Sequence, residues 1–315
     1  MDRIQKALDK ARTQRQAIQQ QSHALGGTPH DPASGPPESR QVPQHIEGNI
    51  EDADQATGLA GSAGQRDTET DSAAHIASKQ AESRTRLIAS APTQLAENRL
   101  VAQDSGSALA DTFRLLRTQV LHRMTEKGAS TLAVCSANSG EGKSLVACNL
   151  AISLALNVDR SVLLVDLDLR RPSVGSYFGV EPPYGLGDYL TERRPLADCL
   201  LRPGIERLVL LPTLRPLQLS SEILSSPRMR SLAEELRTRY PDRIVIYDMP
   251  PVLATDDFLS FAPLIESALL VVEENKTPKP DIRRCIELIP PDKFVGSVLN
   301  KTKARDGGYY YHGYG

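Results

Sequence analysis

Five short, nearly continuous apolar runs punctuate the chain from residue 130 onward: STLAVCS (130–136), SVLLVDLD (161–168), RIVIYD (243–248), ALLVVEE (268–274) and FVGSVLN (294–300). Runs of this length, with few polar interruptions, suit strands buried on both faces of a parallel sheet. The stretches between them carry helical spacing. Over 143–157, Val146, Leu150 and Leu154 recur every fourth residue, and 226–240 and 279–289 are amphipathic. Strand and helix alternating in this order predict an α/β, doubly wound, mostly parallel sheet spanning residues 98–300.

The pattern fails outside that span, and in different ways at the two ends. Residues 1–20 place Ile4, Ala7, Leu8 and Ala11 at helical spacing among charges, which predicts a short amphipathic helix whose apolar face needs a partner. Residues 21–97 are rich in Gly, Pro, Ser, Gln and acids, a composition that cannot bury enough apolar surface to fold, and read as a disordered linker. Residues 301–315 end in GGYYYHGYG, with Tyr309, Tyr310, Tyr311 and Tyr314 among the last seven residues of a chain that has nine tyrosines in all. No core can form around them, and the interleaved Gly307, Gly308, Gly313 and Gly315 predict a flexible tail with accessible hydroxyls.

A hydrophobic content of 40% fits a chain packed over only part of its length. The formal net charge of −2 offers no basic surplus, so nucleic acid is not the expected partner. Cys135, Cys148, Cys199 and Cys285 show no metal-ligand spacing and read as thiols in a reducing compartment. No stretch reaches the roughly 18–20 apolar residues that cross a bilayer, and the polar N-terminus is unlike a signal peptide. The expected location is the cytoplasm. None of the six histidines falls within the phosphate-loop or aspartate motifs below, which argues against histidine chemistry.

The first strand runs into ANSGEGKSLVACNLA, so Ser139, Gly140, Glu141, Gly142, Lys143 and Ser144 sit where a strand turns into a helix, with Leu145 next. Backbone amides of such a turn cradle phosphates, Lys143 reaches the β and γ groups, and the Ser144 hydroxyl ligates Mg²⁺. The stricter form of the motif has glycine where this chain has Ala137. The second strand ends in Asp166-Leu167-Asp168, two carboxylates on one side of a strand at the edge where parallel sheets bind ligands. One of the two alone could be a helix cap. The third strand ends in Asp248, placed to hold Mg²⁺ directly or through water. Asn300, at the end of the last strand, is placed either to contact adenine or to cap the strand. A tyrosine hydroxyl, with a pKa near 10, needs a carboxylate to take its proton during phosphoryl transfer. Asp166 is the expected base, with Asp168 in support and Ser144, Asp166 and Asp248 around the metal.

Residues 98–315 resemble the bacterial tyrosine kinases that autophosphorylate while regulating capsule and exopolysaccharide synthesis, including the autokinases associated with exosortases. The resemblance rests on four motifs in order: the phosphate loop, the second aspartate motif LLVDLDLRRP, the Asp248 strand and the C-terminal tyrosine cluster. The opening MDRIQKALDKAR also resembles the exosortase-associated members. The resemblance implies a P-loop NTPase fold of the MinD/ParA-like class, ATP and Mg²⁺ as cofactors, and phosphorylation of Tyr309, Tyr310, Tyr311 and Tyr314, in trans between subunits. It also implies ring assembly through Asp111, Arg114 and Arg117, with aspartate where the family has glutamate. The partners implied are a transmembrane, Wzz-like chain-length determinant that recruits the kinase to the inner face of the plasma membrane, and a phosphotyrosine phosphatase. The competing functions are a MinD/ParA-like ATPase switch, whose extra lysine is replaced here by Asn138, and a nucleotide-binding scaffold without phosphotransfer.

Overall fold

The computed structural model describes residues 85–104, 106–157, 160–240 and 242–302. The expected helix over 1–20, the linker as far as residue 84 and the tail from residue 303 lie outside them. Eight strands make one sheet: β1 (Arg86–Leu87), β2 (Thr131–Ser136), β3 (Ser161–Asp166), β4 (Leu201–Arg202), β5 (Leu208–Leu211), β6 (Arg243–Asp248), β7 (Ser267–Glu273) and β8 (Phe294–Asn300). Their order is β1-β4-β5-β3-β6-β2-β7-β8, and every pairing is parallel except β4 with β5. The helices are α1 (Pro92–Glu97), α2 (Ala108–Glu126), α3 (Lys143–Ala155), α4 (Val174–Phe178), α5 (Leu186–Glu192), α6 (Leu196–Cys199), α7 (Ser220–Leu224), α8 (Pro227–Thr238), α9 (Asp257–Phe261) and α10 (Lys279–Leu288).

Strand alternation sorts the apolar residues into two cores, one on each face of the sheet. Leu132, Val134, Leu164 and Ile246 face the layer of α2 and α3, with Phe113, Val120, Leu150 and Leu154. Ala133, Cys135, Val165 and Tyr247 face the opposite layer, with Met229 and Leu232 of α8, Phe258 of α9 and Cys285 of α10. Burial on both faces is why the runs lack polar alternation. In register, Asp166 of β3 lies beside Asp248 of β6, and Asp248 beside Val134 of β2. Both acids therefore reach one edge of the sheet together with the end of β2.

The central strands match the expected runs to within about two residues. The expected start of the domain at residue 98 moves earlier, because β1 pairs with β4 and Leu95 of α1 is buried in the α2–α3 core. Asn98 Nδ2 donates to the carbonyls of Ser176 (3.0 Å) and Tyr177 (2.9 Å), and the Asn149 side-chain oxygen accepts from the amides of Val101 (2.9 Å) and Ala102 (3.1 Å). Residues 86–97 read as linker by composition, yet the β1 pairing and buried Leu95 dock them, and Asn98 and Asn149 fasten the chain that follows. Leu95→Ala should lower the unfolding free energy by about 2–5 kcal/mol, the usual cost of a core leucine truncation. Urea titration checks this, and an unchanged midpoint would return the domain boundary to residue 98.

Candidate active site

Between β2 and α3 the chain makes a tight loop with two residues in left-handed conformations, Gly140 at φ 83° and Gly142 at φ 91°. Both need glycine for that backbone, and Gly142 needs it twice over, since a Cβ there would collide with Asn300 Nδ2. The loop is anchored from outside. The buried Glu141 carboxylate accepts from the Ala137 amide (2.9 Å) and from the Thr277 hydroxyl (2.7 Å), which itself accepts from the Glu273 amide (2.9 Å). Asn138 Nδ2 donates to Asp281 Oδ2 at 3.0 Å, in the first turn of α10. From the end of β8, Asn300 Nδ2 donates to the Glu141 carbonyl (2.9 Å). Lys301 Nζ donates to the Gly140 carbonyl (2.6 Å) and to Glu273 Oε2 (3.1 Å).

Inside the loop, at the head of α3, the Lys143 ammonium lies 2.8 Å from Asp168 Oδ2 and 3.5 Å from Asp248 Oδ1, and donates to Ser144 Oγ at 3.1 Å. Burial alone would lower the lysine pKa, but the Asp248 and Asp168 carboxylates outweigh it and hold the group above the ordinary lysine range. Asp248 is wholly buried; burial raises its pKa, with Lys143 pulling the other way, and its Oδ2 has no hydrogen-bond partner. Burial, then the Asp248 charge, push Asp166 up to about 8.

Lys143, Ser144, Asp166, Asp168 and Asp248 thus come together at one sheet edge, with Asp166 facing the backbone of the following turn. Its Oδ1 accepts from the Asp168 amide (3.2 Å) and its Oδ2 from the amides of Ser173 (2.8 Å) and Val174 (2.9 Å). Both oxygens accept from the turn that leads into α4, as in the cap alternative. Asp168 is the carboxylate that faces the lysine, its other oxygen accepting from the Arg171 amide at 3.0 Å. Ser139 Oγ accepts from Arg171 Nη1 at 3.3 Å, and Leu145 packs against the α2–α3 core.

The Asp111, Arg114 and Arg117 set lies on α2. Arg114 pairs with Asp111 within the helix, and Arg117 Nη1 donates to the Ser153 carbonyl of the same chain at 2.8 Å. Tyr309, Tyr310, Tyr311 and Tyr314 lie outside the described residues. Thr277 and Lys301 escaped sequence reasoning, as did Asp257, whose buried carboxylate pairs with Arg170 Nε (3.0 Å) and accepts from Ser220 Oγ (2.8 Å). Glu141 was expected in the loop, but not the part its carboxylate plays in anchoring it.

This loop-and-aspartate arrangement defines a nucleotide-binding fold. The family model of the CobQ/CobB/MinD/ParA nucleotide binding domain matches residues 132–307, more than half of the chain, and the chain belongs to that family. Tyrosine-protein kinase YwqD of Bacillus subtilis (strain 168) is 29% identical over 225 residues, covering 70% of this chain and 93% of YwqD. The succinoglycan biosynthesis transport protein ExoP of Rhizobium meliloti (strain 1021) is 30% identical over 218 residues, covering 68% of this chain and 27% of ExoP. Among solved structures, the kinase domain of the Escherichia coli tyrosine kinase ETK matches with a TM-score of 0.61 at 27% identity, covering 69% of this chain and 84% of that one. YwqD and ETK, which this chain resembles over most of its length, are thus both named as bacterial tyrosine kinases.

The Glu141–Thr277 contact yields a direct test. Thr277→Val keeps the shape but leaves a buried carboxylate oxygen and the Glu273 amide without their partner, at a cost of about 1–3 kcal/mol. Chemical denaturation should show that loss and Thr277→Ser should reverse it; a valine variant as stable as the parent would mean the bridge contributes nothing.

Proposed function

We propose that the chain is an ATP-dependent protein-tyrosine kinase that transfers the γ-phosphoryl group of ATP to its own Tyr309, Tyr310, Tyr311 and Tyr314. The observation that carries this reading is the Lys143 ammonium held among Asp168, Asp248 and the Ser144 hydroxyl at the mouth of a glycine loop. Phosphates entering the loop compete with Asp168 for Lys143, and Asp168 is then freed to act as base. The tyrosyl oxygen attacks the γ-phosphorus, the bond from that phosphorus to the β–γ bridging oxygen breaks, and the hydroxyl proton passes to Asp168 as ADP leaves. Asp166 holds the turn that carries Asp168.

The unpartnered, buried Asp248 Oδ2 and the adjacent Ser144 hydroxyl fit a hard divalent cation such as Mg²⁺. Among the described residues no three His, Cys, Asp or Glu side chains are grouped to hold a metal on their own, so phosphate and water oxygens would complete the shell. Mg²⁺ bound there would neutralise charge on the transferring phosphates.

The same reading assigns the kinase to control of exopolysaccharide polymerisation and export, a role supported by relatives such as ExoP, named for succinoglycan biosynthesis transport. It includes trans-phosphorylation within a ring, activation at the inner face of the membrane by a Wzz-like transmembrane chain-length determinant, and a phosphatase that resets the tail. Among the described residues no helix is long and apolar enough to cross a membrane. Asp111 is exposed and Arg114 partly so, which leaves both open to an adjoining subunit.

Incubating the purified full chain with ATP and Mg²⁺ and mapping phosphotyrosine by mass spectrometry should find the modification in the last seven residues. Asp168→Asn should cut transfer by about 10²–10⁴-fold, the range for loss of a general base, while still binding ADP. A parent protein that binds ATP but forms no phosphotyrosine would overturn the kinase reading, and normal transfer by Asp168→Asn would overturn the assignment of the base.

A further inference from the structure

We propose that Asn300 and Lys301 are positioning residues that aim the amides of Glu141 and Gly142 at the phosphates of a bound nucleotide. A trans peptide is planar, and its C=O and N–H point in opposite directions. Lys301 Nζ holds the Gly140 carbonyl at 2.6 Å, which turns the Glu141 N–H of that same peptide to the far side. Asn300 Nδ2 holds the Glu141 carbonyl at 2.9 Å and does the same for the Gly142 N–H. No cis peptide interrupts this relation. Among the described residues neither amide donates to a backbone or side-chain acceptor. Two consecutive amides are thus held from behind and left without an acceptor in front.

The supports are built rather than incidental. The Lys301 ammonium is itself fixed by Glu273 Oε2 at 3.1 Å, and Glu273 is tied through its amide to Thr277 and so to the Glu141 carboxylate. Lys301 adopts a left-handed backbone at φ 56°, unusual for a lysine and retained where surroundings fix it. A Cβ on Gly142 would displace the Asn300 amide from its place, on top of the strain of the left-handed backbone there. Asn300 therefore serves the phosphates from behind the loop, in contrast to the adenine contact that its strand-end position suggests.

The inference rests on this loop being the phosphate site and is independent of phosphotransfer. Its test is displacement of a fluorescent ADP analogue from the full chain by ADP and by inorganic pyrophosphate. Asn300→Ala, which changes no charge, and Lys301→Met should each weaken both ligands by the same factor, about tenfold, as for one misdirected charge-assisted hydrogen bond. The thermal midpoint without ligand should stay near that of the parent, and Lys301→Arg should restore affinity. Parent-like affinity in both variants would overturn the inference alone. A loss for ADP with pyrophosphate spared would return Asn300 to adenine recognition, and a loss matched by a lower thermal midpoint would reduce the pair to scaffolding. A parent protein that binds neither ligand would overturn the phosphate-site reading and this inference together.

Discussion

Three aspartates crowd one edge of the sheet, and one buried ammonium, Lys143, lies among them. Asp166 and Asp248 are fully buried and side by side in register, and carboxylates so placed repel each other while losing their hydration. Lys143 offsets part of that cost, and three backbone amides on Asp166 offset more. Burial and the neighbouring charge push both Asp166 and Asp248 toward their neutral forms, which relieves part of the remaining repulsion. The Asp248 oxygen without a hydrogen-bond partner is what the proposed cation would satisfy.

The rest of the fold serves this arrangement. Parallel strands all end at the same edge, so β3 and β6 bring their terminal acids beside the exit of β2, where the glycine loop starts. The loop cannot hold its own shape with left-handed backbone at Gly140 and Gly142, and its fixtures come from the β7–α10 connection and the end of β8. Those fixtures are distant in sequence and adjacent only because β8 pairs with β7, itself the neighbour of β2. The chain that leaves β8 toward the tyrosine cluster therefore departs from beside the glycine loop.

The sequence made the central sheet legible because burial on both faces leaves an unbroken apolar signature in β2, β3, β6, β7 and β8. It hid β5, four buried residues too few to stand out, and β1 and β4, two residues each. It also hid α1, whose single buried leucine lies in a polar stretch. That Lys143, Ser144, Asp166, Asp168 and Asp248 would meet was readable from spacing, but how Asp166 and Asp168 divide the turn contact and the Lys143 contact between them was not. That division depends on which carboxylate meets the amides of Ser173 and Val174, a matter of how the turn after β3 folds back. Thr277 and Lys301 carry no motif at all, and their roles arise from long-range packing alone.

In the proposed mechanism Lys143, here 2.8 Å from Asp168, exchanges that carboxylate for phosphate oxygens when nucleotide binds. A crystal structure of the full chain with Mg²⁺ and a non-hydrolysable ATP analogue tests it most directly. The ammonium should then contact phosphate oxygens and have left Asp168, with the metal next to Ser144 and Asp248. Phosphates bound away from the loop, or a lysine still paired with Asp168 beside an occupied site, would contradict it.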